Sequence, residues 1–299
     1  ENAARNKKTD LFFYVIGDKK TPSSARELCE SLAVKYPSFN YTYYDIDGQE
    51  ESLSSYSELM KIVPYNSGVR KLLGNRIAYD DGCDITIQID DDNFVGGDDF
   101  IGAHSKVGTV SEVELFASDN GWHNVYEHLI EENGLPFFPR GYPWSKRDYQ
   151  KEARITKKVE ARRVVVNNGL VYEDPDIDAI SRLFWPVRVV GVKSGSEHEF
   201  GLFPGTWCSF NNQNTSTSRE LTQVYFTPVA GQRNADIWTS FVICKLVEQT
   251  GDVVMFGNPF VKQFRNEHNL WVDLEDEFLS NKATDAFVAL LDSIELTKE

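Results

Sequence analysis

The stretch 85-ITIQIDDDNFVGGDDF-100 runs an apolar alternation straight into three consecutive aspartates, Asp90, Asp91 and Asp92. Ile85, Ile87 and Ile89 recur with the period of a half-buried strand. Packed negative charge at a strand end repels itself unless a cation sits against it. Alternate residues of an extended chain point the same way, so Asp90 and Asp92 share one side and Asp91 takes the other. Such carboxylates suit Mg²⁺ or Mn²⁺, hard cations that prefer oxygen ligands. An EF-hand fails, because Phe94 and Val95 stand where that loop needs an oxygen ligand and a glycine. The plainer alternative is a solvated acidic loop.

A cation held by one or two carboxylates usually shares its coordination with substrate phosphates. Phosphates also attract cationic side chains, and Arg70 and Arg76 lie on the segment leading into the strand. The late segment 262-KQFRNEHNLWVDLEDE-277 offers Arg265 beside His268, which could return one cation and one further metal ligand to the same place. His268 is equally compatible with an ordinary surface position. No GxxxxGK[ST] or strand-linked GxGxxG is present, nor a GxSxG nucleophile elbow. A nucleotide diphosphate held by metal and side chains is the inference that remains.

Around these residues the pattern reads strand, helix, strand, helix, strand. Strands are expected at 10–17, 40–47 and 84–90, and helices over Ser23–Lys35, with Ser24 and Glu27 spaced as a capping box, and within 64–82. That order predicts an α/β fold: one domain with a mostly parallel central sheet flanked by helices. Ligands of such sheets bind at the carboxyl ends of the strands, where Asp18, Asp47 and Asp90–Asp92 all fall. Further on, the pattern predicts a strand at 106–116, a helix at 122–133, an ordered loop at 136–147, a strand, turn and acidic loop across 162–183, and helices at 236–251 and 283–296. Residues 1–299 read as a single domain, with about 1–102 as the nucleotide-binding half and about 103–299 as the acceptor half.

Composition narrows the function classes. Of 299 residues, 41% are hydrophobic and 13% aromatic, enough for a packed core. Against 31 basic side chains stand 46 acidic ones, and a net charge of −15 argues against a nucleic-acid partner. No apolar run approaches the ~20 residues of a membrane helix, and the opening ENAARNKKTD lacks a signal-peptide core, so the expectation is a soluble, cytoplasmic chain. Cys29, Cys83, Cys208 and Cys244 are widely spaced and read as buried thiols.

The ordered set 89-IDDDNFV-95, 140-RGYPWSKR-147, 169-GLVYEDPDIDAISRL-183, 211-NNQNTSTSREL-221, 236-DIW-238 and 258-NPF-260 resembles the GT-A glycosyltransferases. More narrowly, it resembles the reversibly glycosylated polypeptide/UDP-arabinopyranose mutase family and the STELLO-type glycosyltransferases. These stretches span about two-thirds of the chain. The resemblance implies a GT-A-like fold, a nucleotide-sugar donor, usually UDP-linked, and Mn²⁺ or Mg²⁺ carried by Asp90, Asp91 and Asp92. In the mutase family the arginine opening the RGYP motif becomes glycosylated. Arg140 stands in that place, with Arg147 as its neighbour. The segment between Arg147 and Gly169 is longer and more basic than in the plant mutases, and 262–277 looks more like the STELLO-type proteins. Both departures favour transfer to an acceptor.

For such a transfer the metal and arginines neutralise charge on the departing diphosphate. An inverting reaction needs a carboxylate to deprotonate the acceptor hydroxyl. Asp236 is the first choice, although a carboxylate there also suits a helix N-cap. Asp176 and Asp178 are acceptor-binding candidates, and Trp238, with Trp144 and Trp207, could stack on a sugar face. The leading reading is therefore a metal-dependent glycosyltransferase acting on a hydroxyl acceptor such as a glycan. The alternatives are a nucleotide-sugar mutase that uses Arg140 as a transient carrier, and a non-catalytic divalent-metal or sugar-binding module.

Overall fold

The computed structural model describes residues 1–97, 99–147, 155–225 and 232–296. In chain order the helices are α1 (Asn2–Arg5), α2 (Ser24–Lys35), α3 (Ile46–Ser52), α4 (Ser57–Ile62), α5 (Leu73–Asp80), α6 (Phe100–Ala103), α7 (Ala179–Phe184), α8 (Arg219–Val224), α9 (Ala235–Thr250) and α10 (Leu270–Asp292). The strands are β1 (Phe12–Ile16), β2 (Asn40–Tyr44), β3 (Ile85–Ile89), β4 (Asn93–Val95), β5 (Val110–Ser118), β6 (Leu129–Glu131), β7 (Ile155–Glu173), β8 (Val189–Val192), β9 (Phe200–Leu202), β10 (Asn214–Ser218) and β11 (Val253–Gln263). Among the described residues, no helix is long and apolar enough to cross a membrane.

The fold is α/β, with a large mixed sheet flanked by helices. Its spine is β7, whose run Val164–Val171 is buried throughout. A strand covered on both faces needs apolar side chains in near-continuous order, and 164-VVV-166 with 170-LV-171 supplies them. The N-terminal half of β7 pairs antiparallel with β5, and the C-terminal half pairs parallel with β11. On β10 it pairs antiparallel through Val166–Asn168. Helix α9 adds Ile237, Phe241 and Val247 to the main core, and Trp238 on α9 stacks on Phe287 of α10 at 4.4 Å between ring centres. Each fully buried side chain of this kind contributes roughly 1.5–3 kcal/mol.

The expected continuous parallel sheet through the first three strands does not form. β1 and β2 pair in parallel, but as a two-stranded sheet of their own, packed on α5 over Leu53, Val63, Leu73 and Ile77. β3 pairs antiparallel with β10 instead. Alternation such as ITIQI marks a strand with one face more buried than the other and does not name the partner. Within the large sheet, parallel pairing among the described residues is confined to β7–β11, β5–β9 and one isolated bridge.

Other expectations shift locally. The predicted helix at 122–133 is a 3₁₀ turn, Val125–His128, running into β6. Trp122, Val125, Tyr126 and Leu129 mimic a helical stripe, but Asn124 caps the turn by accepting from Tyr126 N and donates to Phe137 O at 2.8 Å. The turn expected within 162–183 does not interrupt β7 at Asn167–Gly169, because those residues hold ladder positions opposite β10 and β11. α2 begins at Ser24 with Ser23 as N-cap and no side-chain capping bond, so the capping box is not made. α10 starts at Leu270, thirteen residues before the expected 283. Residues 148–154, within the basic segment after Arg147, lie outside the described residues.

Gly141, in the RGYP stretch, explains how that loop lies against α9. Its φ is +77°, and a Cβ there would stand 2.1 Å from Ile237 Cγ2. Gly141→Ala combines left-handed strain with overpacking, and the expected loss in a urea titration is about 2–5 kcal/mol.

Three histidines sit in the interior. His123 Nε2 lies 2.9 Å from His128 Nε2, and His104 Nδ1 lies 2.7 Å from Ser216 Oγ. Burial pushes His123 down to about 4 and His104 and His128 down to about 3. The folded chain therefore binds fewer protons than the unfolded one below about pH 6.5. Their contribution is complete above that pH and is lost as the pH falls toward 4. Unfolding titrations should be flat from pH 8 to 7, then lose about 1.4 kcal/mol per pH unit for each proton taken up. A flat profile down to pH 4 would contradict this.

Candidate functional site

β3 ends in a tight turn rather than a continued strand. Asn93 N donates to Asp90 O at 3.2 Å, which closes the three aspartates into the link between β3 and β4. Asp90 accepts from Lys71 Nζ, which also reaches Asn212 O at 3.2 Å. Asp92 accepts from Asn93 Nδ2 at 3.0 Å and from Gln263 Nε2 at 3.2 and 3.3 Å. Asn93 and Gln263 are cross-strand partners of β4 and β11, and Asn93 Oδ1 and Gln263 Oε1 are buried without hydrogen bonds. Asp91 is exposed.

These atoms are of the type that a hard cation takes, which would have to complete its shell elsewhere. The donors are all oxygens, and two amide oxygens beside Asp92 are unspent. Among the described residues, no three His, Cys, Asp or Glu side chains converge as a metal cage. His268 therefore does not join Asp90 and Asp92. It lies 3.4 Å from Asp273 in the first turn of α10. An Mg²⁺ or Mn²⁺ held by Asp90 and Asp92 would need ligand oxygens, as phosphates supply.

The second half of the site is a buried charge network. Arg140 is 6% exposed. Its Nε donates to both Asp176 oxygens at 3.0 Å, one terminal nitrogen donates to Asn234 Oδ1 at 2.9 Å and to Arg233 O, and the other donates to Asp236 Oδ2 at 2.9 Å. Asp176 also accepts from Asn211 Nδ2 at 3.1 Å and has Arg265 at 3.6 Å. Burial alone would raise the Asp176 carboxyl, but Arg140 and Arg265 outweigh it and hold the group well below the usual carboxylate range. That contribution to stability is present above about pH 4 and lost as the pH falls further. Asp236 is not the N-cap of α9, a position held by Asn234. It sits one residue inside the first turn, with its carboxylate on Arg140.

The two halves meet at 211-NNQ-213. Asp90 N donates to Gln213 O at 3.2 Å, Lys71 reaches Asn212 O, and Asn211 holds Asp176. Asp176 and Asn211, with Asn168 and Ser209, line a cavity of ≈ 10 Å³ under Arg140. Consecutive Cα atoms are about 3.8 Å apart, so three residues carry the connection from the aspartate turn to the Arg140 network.

The other predicted residues divide. Arg70 is 2% exposed, lies over the Tyr65 ring at 4.3 Å, and keeps Nε and one terminal nitrogen without hydrogen bonds. Arg265 likewise has two buried nitrogens without hydrogen bonds, 3.4 Å from Asp174 and 3.6 Å from Asp176. Asp18 organises the loop after β1, accepting from Lys19 N at 2.7 Å and Ser67 N at 3.3 Å. Asp47 is exposed in the first turn of α3, where a negative charge favours the helix. Arg76 pairs with Asp80 along α5.

Four predicted residues serve the frame. Arg147 and Asp178 form a buried pair at 2.7 Å, and Asp178 caps α7 by accepting from Ser181 N at 2.9 Å. Arg147 also lies over Trp144 at 4.0 Å. Trp207 is a core residue, and one face of Trp238 is covered by Phe287. Sequence reasoning missed Lys71, Asn93, Gln213, Gln263 and Asn234. Lys71 adjoins Arg70, and Asn93 and Gln213 lie inside quoted motifs, so their signal was present but unassigned.

Comparison with protein-family models gives no match, and comparison with curated proteins gives none either.

Removing Arg140 leaves two buried carboxylates without their cation. Arg140→Met should cost about 3–5 kcal/mol in a urea titration. Asp236→Asn keeps an acceptor for the guanidinium and should cost about 1–2 kcal/mol. Equal losses would mean that the network is not held by charge.

Proposed function

We propose that the chain is a metal-dependent glycosyltransferase of GT-A architecture. It moves a sugar from a nucleotide-sugar donor, UDP-linked as its motifs suggest, to a hydroxyl acceptor such as a glycan. The observation that carries this reading is the three-residue bridge 211–213. It sets a carboxylate turn suited to a cation beside a buried carboxylate–arginine network suited to an acceptor hydroxyl.

Asp90 and Asp92 are the residues that would hold Mn²⁺ or Mg²⁺, which when bound supplies positive charge to the departing diphosphate. Lys71 stands on Asp90 and would move to the phosphates as the carboxylate takes up its cation. Arg70 and Arg265 bring buried guanidinium nitrogens with unspent donors, which a diphosphate can satisfy. Asp236 accepts the proton of the attacking hydroxyl, and Arg140 fixes its carboxylate.

The mutase reading draws less support. Every guanidinium nitrogen of Arg140 is already hydrogen-bonded, and the side chain is buried between two carboxylates. A nucleophile needs a free lone pair and access to the sugar. Arg140 has neither here, and it suits positioning instead.

Isothermal titration with UDP, GDP and their sugar conjugates tests the proposal, first with Mn²⁺ and then with chelator, on the native chain and on Asp92→Ala. One nucleotide should bind in a metal-dependent manner, with affinity at least about tenfold weaker in the variant. If the folded protein binds none of them, the transferase and mutase readings fall together and a metal- or sugar-binding module is left.

A further inference from the structure

Helix α10 carries its apolar face outward. Its buried side chains include Asp273, Glu277, Ser280 and Thr284, a stripe at i, i+4, i+7 and i+11 that faces the rest of the molecule. On the other side Trp271, Phe278 and Leu279 are exposed at 69%, 58% and 74%. A helix free to turn about its axis would put these three inward and the polar stripe in water. The bonds of the inner face prevent that turn. Arg233 pairs with Asp273 at 3.1 Å and with Glu277 at 2.7 Å, Glu277 accepts from Ala179 N at 2.7 Å, and Asn234 Nδ2 donates to Ser280 Oγ. Polar bonds inside thus hold the apolar face outside.

Two charges stand within that face, Glu275 and Lys282, both exposed. Their spacing of two helical turns, about 10 Å, sets them on one side of the helix and too far apart to pair with each other. They bracket the apolar centre: Glu275 lies three residues before Phe278, and Lys282 three residues after Leu279. Such a pattern complements itself when reversed end to end. Laid parallel, it would set Glu275 on Glu275 and Lys282 on Lys282, which like charges oppose.

We infer that the outer face of α10 is a dimer interface that takes α10 of a second copy of this chain, antiparallel and about a twofold axis. With the axis midway between Phe278 and Leu279, Glu275 of each copy meets Lys282 of the other, so the charge pair forms twice. The same register lays Phe278 on Leu279 of the second copy and Trp271 on the exposed Ala286, a bulky ring over a small residue. The overlap runs about 24 Å along the helix, a contact at the small end of specific interfaces, with a dissociation constant of roughly 1–100 µM. A membrane surface fits less well. A helix that lies in lipid carries Lys and Arg beside its apolar face, whereas Asp276 and Asp285 border this one and the chain's net charge is −15.

The test is sedimentation equilibrium of the native chain from about 1 to 300 µM, a range that brackets the expected constant. Salt is set at about 0.15 M, where charges more than ~8 Å apart are screened and the −15 of each copy repels the other least over distance. Three variants are compared: Glu275→Lys, Lys282→Glu, and the double exchange of both. All three lie on the exposed face, and a melting temperature for each confirms that it folds. Each single reversal should weaken the dimer at least about tenfold, and the double exchange should return it to within about threefold of the native chain. A native chain that stays monomeric overturns the inference, and if that monomer sediments with phosphatidylcholine vesicles the face is a lipid-docking surface instead. A dimer that survives the single reversals, or one that the double exchange does not restore, overturns it as well. Association of this kind needs no sugar nucleotide, so its failure leaves the proposed activity standing, and the failure of that activity leaves the dimer standing.

Discussion

The burial of Arg140 between Asp176 and Asp236 is the constraint on which the rest of this half of the molecule depends. A guanidinium taken out of water costs least when its donors are satisfied, and in Arg140 each nitrogen is. Satisfying it fixes three separate segments at once. The RGYP loop must lie against α9, which requires glycine at 141. The loop after β7 must present Asp176, and Arg182 stitches that loop through Pro175 O at 2.6 Å and Asp174 at 2.5 Å. The start of α9 must offer Asn234 and Asp236 together. Next to it, Arg233 joins Asp273 at 3.1 Å and Glu277 at 2.7 Å, and Glu277 accepts from Ala179 N at the head of α7. The helices behind the site are thus tied to the same network of arginines and carboxylates.

The sheet carries this arrangement to the aspartates through an unusual strand. β10 is made of Asn214, Thr215, Ser216, Thr217 and Ser218, all buried, where a central strand is ordinarily apolar. Its polar groups are largely answered in place. Asn168 Nδ2 donates to Thr215 Oγ1 at 2.7 Å, Thr215 Oγ1 donates to Asn211 O at 2.6 Å, and Thr217 and Thr222 hydroxyls lie 3.0 Å apart. Such a strand gives up hydrophobic stabilisation for directional bonds that fix the register of 211–213. That register is what sets Gln213 under Asp90 and Asn211 against Asp176.

Much of this was legible in the residues. Ile85–Ile89 and the aspartates that follow marked a strand end, and α9 could be bounded near Asp236 and Gly251. Strand partners were not legible, because period-2 alternation says nothing about the neighbour across the ladder, and in β3 it missed the burial as well, since Gln88 is buried and Ile89 exposed. The helix expected at 122–133 failed for a similar reason. Its apolar spacing serves the core in a 3₁₀ turn once Asn124 bonds to Phe137, a contact thirteen residues away. Arg147 and Asp178 looked like site residues by type, yet their pairing in the interior needed coordinates. Lys71 and Gln263 became visible only when the sheet brought them to Asp90 and Asp92.

Among the cations near the site, satisfaction is uneven, and the unevenness has a direction. Arg140 is fully bonded, so it has no capacity left for a ligand. Arg265 is half-buried and paired with Asp174 and Asp176, whereas Arg70 is buried with two donors unspent and, among the described residues, has the Tyr65 ring and Val63 O as its closest partners. Burying an arginine without answering its charge costs several kcal/mol, of order 3–5 for an unpaired buried ion. Arg70 adjoins Lys71 in the chain, and under the proposed reading both are positive charge held for an anion. The turn for its part leaves Asn93 Oδ1 and Gln263 Oε1 without hydrogen bonds. Under the proposed reading, a metal–diphosphate would bring an anion to Arg70 and a cation to the aspartate turn in one binding event, whereas a free metal ion would leave Arg70 unanswered.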